Sequence, residues 1–170
     1  MGVPQNRERV FFICLRKDLA KQFKKKMNIF SNFPYLNLNF DEESITFGEI
    51  EDDKGKLVTS PVASYLFSKR KYGDESLMQS AIREQGKKKN FNVKYIYKTK
   101  TPPTLNTKGA EIIFDTGRKL SISERIKIST FPTDYIFCGK ELFLTGMSVP
   151  PIMMAQIAKR IHEQILTKIQ

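Results

Sequence analysis

The chain has 170 residues, 40% of them apolar and 11% aromatic; that is one ordinary domain or a substantial part of a larger one, and too rich in core-forming residues for a disordered tail. Two cysteines and a single histidine exclude a disulfide framework and a histidine-based metal centre or triad, and make a reducing cytoplasm the expected compartment. The 29 basic residues outnumber the 18 acidic ones, a formal net charge of +11, which points to a polyanionic partner, most commonly nucleic acid.

The N-terminus opens with Gln5, Arg7 and Arg9 at alternate positions. Alternation puts them on one side of an extended segment. Val10 to Leu15 (VFFICL) follows, a continuous apolar run that reads as a strand buried on both faces. Such a strand needs neighbours on either side, so the chain is expected to start in mid-domain. Cys14, inside that run, is expected to be a buried, inert thiol. No run is long enough to cross a membrane, and no signal-peptide pattern precedes or follows VFFICL.

Lys17 to Phe23 suits one or two helical turns, and Asn28 to Asn39 reads as loop. A short helix can open at Ser60. Asp74 is the expected N-cap of a helix through about Gln85, stopped by Gly86. Val93 to Lys98 alternates as a half-buried strand does, and Pro102 and Pro103 break it. Ala110 to Asp115 is a second strand candidate, closed by Gly117. Ser121 and Glu124 have capping-box spacing, which starts a helix at Ile122. Pro150 and Pro151 suit the first turn of a helix to the C-terminus, with Met154, Ala155, Ala158, Ile161, Ile165, Leu166 and Ile169 as its apolar stripe.

Charge is segregated along the chain. Asp41 to Asp53 carries seven acidic residues and no basic one, whereas Lys69 to Lys100 carries ten basic and three acidic residues. One basic face and an acidic back is the simplest arrangement. The clusters Lys69-Arg70-Lys71 and Lys87-Lys88-Lys89 are candidate phosphate contacts, which supply affinity and not sequence choice.

Three separated stretches point to one family. Val3 to Leu19 resembles the Gln-x-Arg-x-Arg motif and following strand of the DNA (cytosine-5)-methyltransferases, the eighth of that family's ten motifs. Arg118 to Gly139 resembles the ninth, with Ser123, Lys127 and Ser129 where the family usually has Arg, Arg and Gln. Thr145 to Ile161 is similar to the tenth, with Leu144 and Met147 in place of the usual Gln and Asn. Between the eighth and ninth motifs the family carries its variable target-recognition region, and Thr104-Leu105 matches a Thr-Leu pair common there.

The resemblance implies an α/β fold. It would be the C-terminal fragment of a doubly wound methyltransferase domain, one strand and the closing helix, joined to a small mixed or irregular recognition domain. The expected division is residues 1–23 for the end of the catalytic domain, 24–117 for target recognition, 118–147 for the ninth motif and the hinge back, and 148–170 for the closing helix. Arg9 would help to hold the flipped cytosine, with Arg7 and Gln5 supporting the site. Thr104 and Leu105 would lie at the DNA face, Thr104 near a phosphate. Phe131, Pro132 and Tyr135 would organise the recognition region by packing. Gly146, Met147, Ser148 and Val149 would line one side of the S-adenosylmethionine pocket. No metal is implied.

The family's Gly-rich cofactor loop, Pro-Cys nucleophile and Glu-Asn-Val acid do not occur in this sequence. The reaction adds a thiolate to C6 of the base, needs an acid at N3, and places a methyl donor against C5. The isolated chain is therefore expected to be inactive. Three readings follow: the DNA-recognition half of such an enzyme in a restriction-modification system, acting on double-stranded DNA with a separate catalytic subunit; an inactive truncated remnant; or a free-standing basic nucleic-acid-binding module.

Overall fold

The computed structural model describes residues 1–25, 36–86 and 92–168. At its centre two short strands, β1 (Lys94–Ile96) and β2 (Glu111–Ile113), pair in parallel, Tyr95 opposite Ile112. Alternation along them builds two cores. Tyr95, Tyr97, Ile112 and Phe114 pack with Leu66, Leu77 and Ala81 on one side. Ile96 and Ile113 pack with Phe47, Leu105 and Ile128 on the other. Each aliphatic side chain so buried contributes about 1.5–3 kcal/mol.

Helices α2 (Pro61–Ser68) and α3 (Leu77–Gln85) cover the first face. A single 3-10 turn at Phe47–Glu49 and helix α4 (Ile122–Ile128) cover the second. Covering both faces is how a parallel pair is kept from water. The segment Val93–Lys98 is accordingly buried on both faces, with Tyr95, Ile96 and Tyr97 at 3%, 0% and 8% exposure; its alternation separates two cores instead of core from solvent, which corrects the half-buried expectation.

Helix starts follow local chemistry. The short α4 begins as its capping box requires, Ser121 Oγ accepting from Glu124 N at 3.0 Å and Glu124 Oε2 accepting from Ser121 N at 2.8 Å. Ser60 precedes α2 and Pro61 opens it. For α3 the N-cap is Ser76, not Asp74, because Gln79 answers Ser76 in a capping box. Asp74 instead sits in the preceding turn, paired with Arg83 at 2.5 Å. Gly86 ends α3 in the left-handed conformation.

The N-terminal expectation fails in one place. Helix α1 (Lys17–Lys25) forms, but Val10 to Leu15 has no regular structure. Val10 is 81% exposed, Phe12 90%, and Cys14 is also exposed. A strand needs a ladder, and none of the described residues supplies one for this run.

At the other end, α5 (Glu141–Met147) leads into α6 (Pro151–Gln164), with Pro150 as N-cap and Pro151 in the first turn. A 3-10 turn at Leu166–Lys168 follows, so the helix stops short of the C-terminus. Its buried line is Met153 and Ile157, continued by Ile165. The expected stripe is rotated from this line: Met154, Ala155 and Ala158 are exposed, and Ile169 lies outside the described residues. Two apolar lines run along α6, and the chain covers one of them.

Candidate functional site

The three motif segments meet around residues 146–147. Gly146 lies against the loop after Thr104-Leu105 so closely that a Cβ there would come within 2.6 Å of the Asn106 carbonyl carbon and oxygen. Only glycine allows that approach. From the other side, Arg7 Nη2 donates to the carbonyl oxygens of Gly146 and Met147, each at 3.0 Å. A guanidinium there satisfies orphan carbonyls at the end of α5 and complements their partial negative charge.

Arg125 of α4 ties the same place to the sheet. Its guanidinium pairs with Glu111 of β2 and donates to Asn106 O at 2.5 Å and to Thr145 Oγ1 at 3.3 Å. Glu111 Oε1 accepts from Asn106 N at 2.6 Å. Ser129, standing where the family usually has Gln, donates to Thr145 O at 3.2 Å. The other departures are also used. Ser123 Oγ bonds the Asp52 carboxylate, and Lys127 Nζ donates to Ile50 O at 3.1 Å.

A second arginine does the remaining bracing. Arg118 is 4% exposed and donates to Glu124 Oε1 at 2.8 Å and to Glu51 Oε1 at 2.8 Å. These carboxylates raise its pKa above the ordinary arginine value. Glu51 also pairs with Lys98 at 2.7 Å. The acidic stretch before Asp53 is thus partly spent on arginine and lysine partners and is not simply a solvated back. Sequence reasoning had no handle on Arg118 and Arg125 as a network, since their carboxylate partners lie up to 67 residues away. Phe131, Tyr135 and Phe137 form a ring cluster with centroids 4.8–5.0 Å apart.

The Gln-x-Arg-x-Arg residues divide. Gln5 and Arg7 are each 5% exposed and line a cleft of about 470 Å³ with Val3, Glu43, Thr101 and Met153. Both polar atoms of the Gln5 amide, and Nε and Nη1 of Arg7, are buried without a hydrogen-bond partner. Burial, and then the charge of Arg9, lower the Arg7 pKa. These are three donors and one acceptor that the described residues leave unsatisfied. Arg9 does not join them: it is exposed, and its Nη1 donates to Glu8 O at 2.6 Å. The single-sided arrangement of all three residues therefore stops after Arg7, where the extended pairing of Asn6 with Pro103 ends.

Thr104 Oγ1 donates to Asn6 O at 2.9 Å, so its hydroxyl fastens the Gln-x-Arg-x-Arg segment to the loop after Pro103. Leu105 is 2% exposed in the second core and reaches no DNA surface; its apolar side chain fills the space beneath Ile96 and Ile113. Arg70, expected at a phosphate, is half-buried and partly engaged within the chain. Its Nε donates to Phe114 O at 2.8 Å, and its guanidinium lies 3.8 Å over the Phe67 ring. Lys69 and Lys71 are exposed. Lys87, Lys88 and Lys89 lie outside the described residues.

Gly146 is buried and Met147 is 59% exposed, with Ser148 and Val149 half-buried. Neither cleft beside Asn6 is lined by these four residues. They fit only one edge of a methyl-donor site: Met147 and Val149 offer apolar contact, and Ser148 a hydroxyl. Among the described residues no cluster of His, Cys, Asp and Glu could hold a metal, and no helix is long and apolar enough to cross a membrane.

Comparison with known proteins agrees with the motifs. The family model for C-5 cytosine-specific DNA methylase matches residues 1–163. The "Putative type II methyltransferase" of Methanocaldococcus jannaschii is 32% identical over 59% of this chain and 32% of its own length. A type II methyltransferase of Methanothermobacter thermautotrophicus, M.MthTI, is 24% identical over 96% of this chain and 53% of its own length. The chain thus spans about a third to a half of these relatives. No solved structure matches it. With a family model matched along nearly its whole length, the chain belongs to the C-5 cytosine-specific DNA methylases.

Proposed function

We propose that this chain is the C-terminal, DNA-recognition portion of a DNA (cytosine-5)-methyltransferase of a restriction-modification system, working with a separate catalytic chain. The observation that carries this reading is the convergence of Arg7, Asn106, Arg125 and Thr145 on the end of α5. Gln5 and Arg7 border the cleft and keep buried polar atoms without hydrogen-bond partners, which supports a site there.

In this reading the nucleophilic cysteine, the acid at N3 and most of the S-adenosylmethionine site lie on the catalytic chain. The donor supplies the methyl group that C5 of a flipped cytosine accepts. Flipping is required because C5 and C6 are inaccessible in the stack. Gln5 and Arg7 would support the flipped base, Arg9 would reach it from the edge, and residues 24–117 would read the DNA. Residues 146–149 would close one edge of the donor pocket. The exposed apolar side chains Val10, Phe12, Phe143, Met147 and Met154 supply a surface for the catalytic chain.

The test is transfer of labelled methyl from S-adenosylmethionine to DNA by this chain, by the polypeptide encoded upstream that carries Pro-Cys and Glu-Asn-Val, and by their mixture. Activity in the mixture alone is the expected result. No activity in the mixture, with both chains folded and soluble, overturns the split enzyme and favours the truncated remnant, to which the bare Phe12 surface is equally suited.

A further inference from the structure

Tyr72 is 80% exposed, yet its position is fixed from below. It sits in a tight turn, where Asp74 N donates to Lys71 O at 3.0 Å and Asp74 Oδ2 accepts from Lys71 N at 2.8 Å. Gly73 takes the positive φ of 95° that the turn demands. The buried Tyr97 hydroxyl pins both following residues, accepting from Gly73 N at 3.1 Å and donating to Asp74 O at 2.6 Å. The Tyr72 ring rests edge-on against Tyr97 and Phe114, with centroids 5.7 and 6.1 Å away. Those two rings are themselves stacked at 4.5 Å.

The surroundings are basic. Lys69 and Lys71 flank the turn and are exposed. Lys100 is exposed too, its ammonium 4.8 Å over the Tyr97 ring. Of the nearby carboxylates, Asp74 is buried and occupied by Arg83, while Glu75 and Asp115 are exposed. From Tyr97 and Lys100 a cleft of about 420 Å³ runs past Lys94 and Pro103 to Asn6, the neighbour of Gln5 and Arg7. The patch is therefore continuous with the site already described.

We infer that Tyr72 is a sequence-reading residue for duplex DNA, its ring and hydroxyl meeting base edges in a groove while Lys69, Lys71 and Lys100 take the phosphates. This rests on the DNA-recognition reading and names the residue that reads. A rigid tyrosine on a pinned turn loses little entropy on binding and offers both an apolar face and a donor. The lysines match a polyanion and carry no sequence information themselves.

The sequence contains no tryptophan, so Tyr72→Trp installs one reporter at the tip. The full chain is titrated into end-labelled duplexes with a random core, following label anisotropy and indole emission together. The expected result is an indole signal that changes with the same midpoint as the anisotropy. Met154→Trp on α6 serves as the control, with unchanged emission. Tyr72→Ala should still bind but should lose the sequence preference recovered by sequencing the bound duplexes. Lys69→Ala combined with Lys71→Ala should lower the slope of log K against log salt by about 2. Rising anisotropy with an indifferent indole, and unaltered selected sequences for Tyr72→Ala, overturns the inference and leaves DNA recognition standing. No anisotropy change with the folded wild-type chain overturns the recognition reading, and this inference with it.

Discussion

Arg125 and Glu111 form an ion pair at 1% and 0% side-chain exposure, in contact with three of the segments that make the site. Removing one partner leaves the other charged, buried and unpaired. Arg125→Ala is expected to cost about 3–5 kcal/mol, read from the shift in the urea unfolding midpoint. Glu111→Gln, which keeps the shape and loses the charge, should also destabilise the chain. An unchanged midpoint for both would show that the pair adds nothing over its surroundings.

Gly146 is the point of closest backbone approach. Gly146→Ala puts a methyl 2.6 Å from the Asn106 carbonyl, and backbone cannot swing aside as a flexible side chain can. The loop and α5 must part, at a cost of about 1–3 kcal/mol. The expected signature is a lower thermal midpoint together with faster hydrogen exchange at residues 106–107 and 145–148.

Arg7 and Arg9 should behave differently although they are two residues apart. Arg7→Ala removes both bonds to the end of α5 and should destabilise the chain by about 1.5–3 kcal/mol. Arg9→Ala removes an exposed side chain and should leave stability within about 0.5 kcal/mol of wild type. In the two-chain mixture Arg9→Ala should nonetheless lower methyl transfer. Equal stability losses for the two variants would contradict the bracing assigned to Arg7.

Stability should fall in acid through Asp74. The Arg83 guanidinium bonded to it holds its carboxyl below the ordinary aspartate value of 3.8. A depressed folded-state pKa means that Asp74 stabilises the chain fully above that unfolded value, and the contribution fades as pH falls through the folded one. Asp74→Asn is expected to lower stability at neutral pH by about 1–3 kcal/mol and to flatten the acid limb of a stability–pH curve. An acid limb identical to wild type would assign the pH dependence to other carboxylates.

The exposed apolar run predicts self-association. Phe12 and Val10, at 90% and 81% exposure, touch little of the folded chain. Phe12→Ser combined with Val10→Ser should leave the unfolding midpoint within about 0.5 kcal/mol of wild type. The same variant should reduce light scattering of the isolated chain and, in the mixture, weaken pull-down of the catalytic chain.

What the sequence revealed depended on how local the cause was. The Ser121–Glu124 box, the Gly86 stop and the Pro151 start are decided within one turn and were legible as written. Asp74 misled as a cap because aspartate is a good N-cap anywhere, while its real partner, Arg83, lies nine residues on. VFFICL misled because an apolar run states a demand for neighbours and not their presence. At the site, the motif spacing singled out both Arg7 and Gly146, which the fold brings into direct contact. It gave no sign that Arg7 would hold the backbone of residues 146–147, or that Leu105 would fill a core. Those outcomes depend on contacts spanning most of the chain.

The bond from Arg7 to Gly146 joins residues 139 apart. Closing a loop of that length costs about 4 kcal/mol of chain entropy. The few contacts of the Gln5–Arg7 segment can meet that cost only once β1, β2 and α4 already hold the far end in place. The segment is therefore expected to dock last in folding and to let go first, as a latch whose release opens one wall of the cleft while the two cores stay closed.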